Sequence, residues 1–180
     1  YRSVLRSDGF RHAYGVLRLY ETWDYGNIAE VIMGDKLDYT GIAAHQMWSS
    51  AMNLYPLYQG MLGINADAIK GVLALSPAFP ADWSKANVKN IRLGNKKVAL
   101  DYLRTDDSYT YTLSSVEDVN VDFTMVLPLA TEVKNVTVDG QTVSFNVYDD
   151  VQNVCVSIDP MVLNGKKEVK VEYEGGIGVL

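Results

Sequence analysis

The sequence predicts an α+β fold, in which a helical segment is followed by an antiparallel β-sandwich. Up to about residue 75, apolar residues recur every three or four positions, which is the spacing of one helix face. From about residue 88, apolar and polar residues alternate, which is typical of half-buried strands. We therefore divide the chain into a helical segment at 1–75, an ordered connector at 76–87 and a β-sandwich domain at 88–180.

The first helix is predicted from a single apolar face. That face is formed by Phe10, Ala13, Tyr14, Leu17, Tyr20 and Trp23. Asp8 stands where an N-cap would precede the face, and Gly26 is a suitable end.

The second predicted helix lies in "AAHQMWSSAMNLYPLYQGMLG", residues 43–63, and is apolar nearly all round. Asp38 or Thr40 could cap its start, and Gly63 could end it. Pro56 lacks an N–H and costs ~3 kcal/mol in a helix interior, so either a kink or a break into two helices is expected there.

A helix that is apolar on every side needs neighbours on every side. We therefore expect the part from Ala51 to Leu62 to be buried. The β-sandwich can cover one side only, so the remainder of a longer parent chain, or another protomer, is expected to cover the other.

About eight short strands are predicted after residue 88, with turn residues between them. Gly94-Asn95 separates "VKNIRL" from "KKVALDYLR", and Asp139-Gly140 lies between two alternating runs. The second pair is a strong hairpin signal because both positions favour φ > 0. Frequent turns between short strands indicate an antiparallel sandwich. The connector carries Phe79 and Trp83, which a flexible linker would lack.

Composition excludes several classes of function. The net charge is −6 and no basic run is present, which disfavours a nucleic-acid partner. No apolar run reaches the length of a membrane span, so no membrane partner is expected. The single cysteine, Cys155, lies in the alternating "NVCVSI" and is interpreted as a buried structural thiol. No cofactor is expected, and periplasmic and cytoplasmic settings both fit this composition.

Carboxylates are concentrated around the loop between the two helices. They are Glu21, Asp24, Glu30, Asp35 and Asp38. Glu30 lies in the apolar run "NIAEVIMGD", so it is either an exposed or capping residue, or a buried carboxylate that needs a hydrogen-bond partner or a raised pKa. His45 and His12 have no metal-ligand spacing, so no metal site is expected.

Three stretches, in this order, carry a family resemblance: "IAEVIMGD", "AAHQMWSSAMNLYPLYQGMLGI" and "LALSPAFPADWSKANVKNIRLGNKKVAL". They resemble the C-terminal end of six-hairpin glycosidases, the α/α-toroid enzymes that include glucoamylases, trehalases and glycogen-debranching amylo-α-1,6-glucosidases. The likeness is greatest to bacterial debranching-enzyme-like proteins. It covers roughly residues 8 to 104.

The resemblance implies a function and a site. Glu30 matches the general base of an inverting mechanism, although Val31 and Ile32 follow it where glucoamylases have Gln and an aromatic residue. His45, Gln46 and Trp48 would lie at the mouth of the toroid, in contact with an oligosaccharide substrate or supporting Glu30. The general acid would come from an earlier helix hairpin, so this chain alone is expected to be inactive. The alternatives are a non-catalytic carbohydrate-binding β-sandwich and a domain that only braces a barrel.

Overall fold

The computed structural model describes residues 6–21, 28–36, 38–40, 43, 45–80, 82–150 and 153–176. The predicted helix residues Trp23 and Gly26 lie outside this part, as does Asp24. The side chains of Asp8, Tyr20, Glu21 and Thr40 lie outside it as well. The chain divides into two compact units, Tyr1–Met61 and Leu62–Leu180.

The first unit is mainly helical. Helix α1 spans Arg6–Leu17 and continues as a 3-10 turn over Arg18–Glu21. Strands β1 (Val31–Ile32) and β2 (Tyr39–Thr40) form a small antiparallel hairpin. Helix α2 spans Met47–Tyr55. On α1, the predicted apolar face is only partly buried, because Ala13 is buried whereas Tyr14 is exposed and stacks on Phe10.

Pro56 changes the winding of the second helix rather than breaking it. The α-helix ends at Tyr55, and a π-helical turn continues over Pro56–Met61 with Pro56 at φ −60°. Because Pro56 has no N–H, the regular i to i−4 hydrogen bond is lost there, and the wider winding keeps the segment helical.

The second unit is a mixed sheet of ten strands. Its strands are β3 (Ile64–Asp67), β4 (Val72–Leu75), β5 (Lys85–Leu93), β6 (Lys96–Arg104), β7 (Ser108–Pro128), β8 (Thr131–Val138), β9 (Gln141–Thr142), β10 (Phe145–Asp150), β11 (Asn153–Ile158) and β12 (Met161–Gly175). The longest connected order is β10-β11-β7-β12-β8-β9, while β5-β6 and β3-β4 join at β7. All pairs are antiparallel except β4 with β7, so the purely antiparallel prediction needs correction.

The predicted boundary near residue 75 also needs correction. Strands β3 and β4 belong to the second unit, which begins at Leu62. Between β4 and β5, the predicted connector runs against the sheet, with Pro77, Ala78, Phe79 and Pro80 all buried. Phe79 packs on Tyr102 and Trp83, with ring centroids 4.5 and 6.2 Å away.

Strand β7 is the centre of the sheet, and it bends. Its first half pairs with β6 and β12, and its second half with β4, β11 and the first residues of β12. Odd-numbered side chains are buried along both halves: Tyr109, Tyr111, Leu113, Ser115, Val119, Val121, Phe123, Met125 and Leu127. Tyr111 and Phe123 touch in an edge-to-face pair, which an unbent strand would not allow. The two halves of β7 therefore face a shared core.

The bend has a local cause in each of the two paired strands. In β7, the Ser115 hydroxyl accepts a hydrogen bond from the Glu117 N–H at 3.1 Å and donates one to the Glu117 C=O at 2.8 Å. In β12, the pairing with β7 shifts register between Leu163 and Gly165, and Gly165 has φ +74°. An irregularity of this kind increases local twist and bending.

Several predicted details are confirmed. Asp139 and Gly140 form the β8–β9 turn with φ of 51° and 78°, as the hairpin signal requires. Gly94 has φ +62° between β5 and β6. Cys155 is buried on β11, which confirms the predicted burial of its thiol. The α+β class is confirmed. The β-sandwich stays a prediction, because hydrogen bonding joins the described strands of the second unit in one bent mixed sheet.

Candidate functional site

The segment that carries Glu30 is hydrogen-bonded to the head of α2. The Glu30 N–H donates to the Ala43 carbonyl at 2.9 Å, and the Gln46 N–H donates to the Ile28 carbonyl at 3.0 Å. The Ile28 N–H donates to the Ser50 hydroxyl at 3.1 Å. These three bonds fix the backbone at Ile28 and at Glu30 itself against the start of the helix.

The same hydrogen bonds explain where α2 begins. We expected a cap from Asp38 or Thr40, but Gln46 holds the N-cap position and its side chain makes no capping bond. Gln46 has an extended backbone, and the backbone groups of Ala43 and Gln46 pair with those of Glu30 and Ile28 before helical winding starts. Asp38 instead forms an ion pair with Lys36 at 3.3 Å.

Glu30 lies at the base of the β1–β2 hairpin. Strand β1 begins at the next residue, where Val31 pairs with Thr40. At the other end of the hairpin, the Met33 N–H donates to the Asp38 carbonyl at 3.0 Å. A carboxylate at the base of a paired hairpin has a better fixed backbone than one in an open loop.

The side chains around Glu30 alternate between core and surface. Ile28 and Ala29 are buried, whereas Glu30 itself is exposed. Of the two interpretations of the apolar run, the exposed carboxylate is the one that the structure has. The apolar neighbours anchor the segment, and the carboxylate is left at the surface.

The three predicted substrate-binding residues lie at the head of α2, to which the Glu30 segment is hydrogen-bonded. His45 is exposed and Gln46 is half-buried, and Trp48 in the first turn of α2 has an exposed fraction of 72%. The three hydrogen bonds bring residues 28 and 30 together with residues 43, 46 and 50, so Glu30 and the head of α2 occupy one region of the first unit. The roles of these four residues remain predictions.

Helix α2 turns its apolar side chains outward, which corrects the expectation that it is buried. It has no buried residue. Its exposed large apolar side chains, with those of the following π turn, are Met47, Trp48, Met52, Leu54, Tyr55 and Tyr58. The half-buried positions are polar, since Ser50 bonds to Ile28 and the Asn53 amide donates to the Ser49 carbonyl at 2.9 Å. The amphipathic pattern is thus inverted relative to a surface helix.

Neither a metal site nor a membrane span is found in the part of the chain that the structure describes. No group of three or more His, Cys, Asp or Glu side chains is arranged there to hold a metal ion. None of its helices is both long enough and apolar enough to cross a membrane.

Sequence reasoning missed two parts of this region. The first is the β1–β2 hairpin, for which Gly34-Asp35 between apolar runs was an available signal. The second is Ser50, whose hydroxyl anchors Ile28 from a position twenty-two residues away. No local pattern marks such a bond.

Comparison with solved structures identifies the type of fold. The chain is similar to an α-L-rhamnosidase from Dictyoglumus thermophilum, with a TM-score of 0.50 and 16% identity, over 77% of this chain and 15% of that one. The chain therefore shares its fold with a part of that enzyme. It spans about one-seventh of the length of that enzyme.

A second solved structure is similar over less of the fold. It is a GH127 β-L-arabinofuranosidase from Geobacillus stearothermophilus T6, with a TM-score of 0.42 and 11% identity, over 69% of this chain and 17% of that one. No protein-family model matches the sequence, and no curated protein matches it either.

Proposed function

We propose that this chain is the C-terminal part of an inverting glycoside hydrolase, in which Glu30 is the general base. The observation that carries the proposal is the set of three hydrogen bonds that fix the Glu30 segment to the head of α2. A catalytic base must be held on a rigid support, and an exposed carboxylate on an anchored backbone meets this requirement.

In the proposed reaction, the Glu30 carboxylate removes a proton from a water molecule while the oxygen of that water attacks the anomeric carbon. A carboxylic acid on the other side of the sugar protonates the leaving glycosidic oxygen, so the anomeric configuration is inverted. The two carboxyl groups of such enzymes are about 6.5–9.5 Å apart, which leaves room for the water. We assign the acid to another part of a longer parent protein, so the 180-residue chain alone is inactive.

The proposed substrate is an oligosaccharide with α-glucosidic or related bonds. The sequence resemblance favours a debranching or glucoamylase-like specificity, while the fold similarity to an α-L-rhamnosidase supports including α-L-rhamnosides among the candidates. In this arrangement His45, Gln46 and Trp48 contact sugar hydroxyls or support Glu30. An exposed indole such as that of Trp48 offers an apolar face on which a sugar ring can stack.

The proposed architecture is the end of an α/α toroid followed by a β-sandwich. The exposed apolar side chains of α2, called here the apolar row, support the toroid part. The bend of β7, which makes its two halves face a shared core, supports the sandwich part. Met47 and Trp48 have exposed fractions of 84% and 72%, which is costly for apolar side chains in water. We propose that the remainder of the parent chain, or another protomer, covers this row.

The test uses the longer parent protein and the substitution Glu30→Gln. Removal of a general base is expected to lower kcat by about 10²–10⁴-fold while leaving the fold intact. Asp35→Asn is the matched control, because Asp35 is another exposed carboxylate of the same hairpin region. It should leave kcat near the wild-type value.

Two readouts make this test decisive. Proton NMR of the first product formed should show the inverted anomer, and a retained anomer would contradict the inverting mechanism. Full activity of the folded Glu30→Gln protein would remove Glu30 from the mechanism. Turnover by the isolated 180-residue chain would contradict the assignment of the general acid to another part of the parent.

The alternative of a carbohydrate-binding sheet gains no support from three of the tyrosines of the sheet, Tyr102, Tyr109 and Tyr111. Tyr102, Tyr109 and Tyr111 are buried in the core of the sheet and pack on one another. They therefore offer no platform to a sugar ring. Titration of the 180-residue chain with maltooligosaccharides tests the alternative, and saturable binding that survives Trp48→Ala would support it.

A further inference from the structure

The sheet of the second unit has four edge strands in the part that the structure describes, and three of them are protected. Strand β9 has only two residues and β3 has four. Strand β5 carries two lysines, Lys85 and Lys89, and its pairing shifts register between Val88 and Ile91. Short length, lysines and bulges are the features that keep edge strands from pairing with other chains.

Strand β10 lacks these features. All six of its residues pair with consecutive residues of β11, without any register shift. Its sequence, FNVYDD, contains no lysine, arginine or proline. Val147 and Tyr148 have exposed fractions of 50% and 49%, and adjacent residues of a strand project from opposite faces. This edge is regular and offers apolar surface on both faces.

We propose that β10 pairs with β10 of a second copy of this chain, in antiparallel orientation. The exposed backbone groups of the edge would complete their hydrogen bonding in this way, and the sheets of two copies would become continuous. The inference is independent of the proposed catalytic function, since it concerns a different unit and a different surface.

The two aspartates at the end of β10 select the orientation. In a parallel pair, Asp149 and Asp150 would each lie beside their own copies, and like charges opposite one another are destabilising. In an antiparallel pair centred on Val147, Asp149 lies opposite Phe145 and Asp150 opposite Ser144 of the second copy. No carboxylate then faces another carboxylate across the pair. This matters because the whole chain is acidic, with a net charge of −6.

The first experiment measures self-association of the 180-residue chain by analytical ultracentrifugation over a range of concentrations. The wild-type chain is expected to form a dimer reversibly. Val147→Lys and Tyr148→Lys each place a charge at the centre of the pair, on opposite faces, and each should weaken the dimer roughly tenfold or more. Two substitutions keep the test valid if one of them disturbs folding.

Leu103→Lys is the matched control. Leu103 has a similar exposed fraction of 52%, but its strand β6 is paired on both sides, with Lys85 and with Thr110. The same charge at this position should leave the dimer unchanged. A monomer at all concentrations, or equal weakening by Leu103→Lys, overturns the proposal.

A further arm separates this edge from the exposed face of α2. Met52→Lys places the charge on that face. If Met52→Lys abolishes association while Val147→Lys does not, the copies associate through the helix and the proposal is wrong.

The second experiment tests the register. Val147→Cys should form an intermolecular disulfide under mild oxidation, because the two copies of residue 147 lie opposite one another in the proposed pair. Leu103→Cys is the control and should cross-link much more slowly, while the native Cys155 is buried. Equal cross-linking at positions 147 and 103 would overturn the antiparallel pair centred on Val147.

Discussion

The rings of Tyr111 and Phe123 pack edge-to-face with their centroids 5.2 Å apart, although both residues belong to strand β7. Twelve residues of straight strand would separate them by about 40 Å. The bend between Ser115 and Val119 is therefore what forms this part of the core. Both rings are almost completely buried.

Phe123→Ala is expected to destabilise the second unit by about 3–5 kcal/mol, because a buried aromatic side chain is lost and a cavity remains. Val116→Ala at the bend is the control, since Val116 has an exposed fraction of 91% and should change the free energy of unfolding little. Urea denaturation followed by circular dichroism measures both.

A double-mutant cycle of Tyr111→Leu and Phe123→Leu should give a coupling of about 0.5–1.5 kcal/mol. A coupling of zero would show that the ring contact itself contributes nothing.

How β7 bends also shows what the sequence could and could not predict. Tyr109, Tyr111 and Phe123 all lie on the buried face, where the alternation of strand residues places them, because strand period alone decides which face each residue takes. Alternation did not predict that β7 is one continuous strand. Continuity depends on the partner strand, where Gly165 provides the irregularity, together with the Ser115 hydroxyl of β7, and alternation alone reveals neither of them.

The boundary between the units was missed for a similar reason. Strands β3 and β4 have four residues each, which is too short for a period to be decided. The neighbour that holds β4 in the sheet is β7, where Val72 pairs with Asn120 in parallel. Pairing between residues so distant in sequence is set by tertiary structure and overrides local propensity.

In the first unit, the sequence predicted the segment that carries Glu30 and the helix that follows, but not the bonds between them. Those bonds involve the backbone groups of Ile28 and Glu30. Every residue type carries a backbone carbonyl and nearly every type an N–H, so the sequence does not reveal which of them pair. The outward apolar face of α2 was not predicted either, because apolar residues surround the helix and no period favours one side.

Gly63→Ala is expected to destabilise the second unit more than an ordinary glycine substitution. Gly63 has φ +60°, and a Cβ there would lie 2.2 Å from the Ser76 carbonyl oxygen. The Ser76 N–H donates to the Gly63 carbonyl at 3.1 Å, so the two segments cannot separate without loss of that bond. Gly71→Ala is the control, since Gly71 has φ +70° but no atom near the added Cβ.

In Gly71→Ala the free energy of unfolding should fall by about 1 kcal/mol, from backbone strain alone. In Gly63→Ala it should fall by at least about 2 kcal/mol more. Thermal unfolding of the two variants gives the difference. Equal losses would mean that the chain moves away from Ser76 at little cost.

Ser50→Ala is expected to loosen the segment before Glu30. It removes the acceptor of the Ile28 N–H, a bond of 3.1 Å, and leaves that amide without its partner. Hydrogen exchange of the Ile28 amide should accelerate roughly tenfold, as the loss of about 1.4 kcal/mol of local protection implies. Ser49→Ala on the same turn should leave it unchanged, and equal acceleration in both variants would indicate general fraying of α2.

The stability of the second unit should fall at alkaline pH, in part through Tyr173. Burial, followed by the neighbouring Tyr109, raises the pKa of Tyr173 from 10.0 to about 12. Below pH 10 the phenol is protonated in both folded and unfolded chains, so stability does not depend on it. Between pH 10 and 12 the unfolded chain loses the proton while the folded chain keeps it, so the free energy of unfolding decreases as pH rises.

Tyr173→Phe removes this ionisation together with the hydrogen bond that the Tyr173 hydroxyl donates to the Thr105 carbonyl at 3.2 Å. The variant should be about 1 kcal/mol less stable near neutral pH, where only the bond counts. Its urea midpoint should then fall less than that of the wild type between about pH 9 and about pH 11.5. Tyr14→Phe changes an exposed ring and is the control, for which a fall of wild-type size is expected. If Tyr173→Phe and the wild type lose stability in parallel as pH rises, Tyr173 is not a group whose ionisation opposes folding.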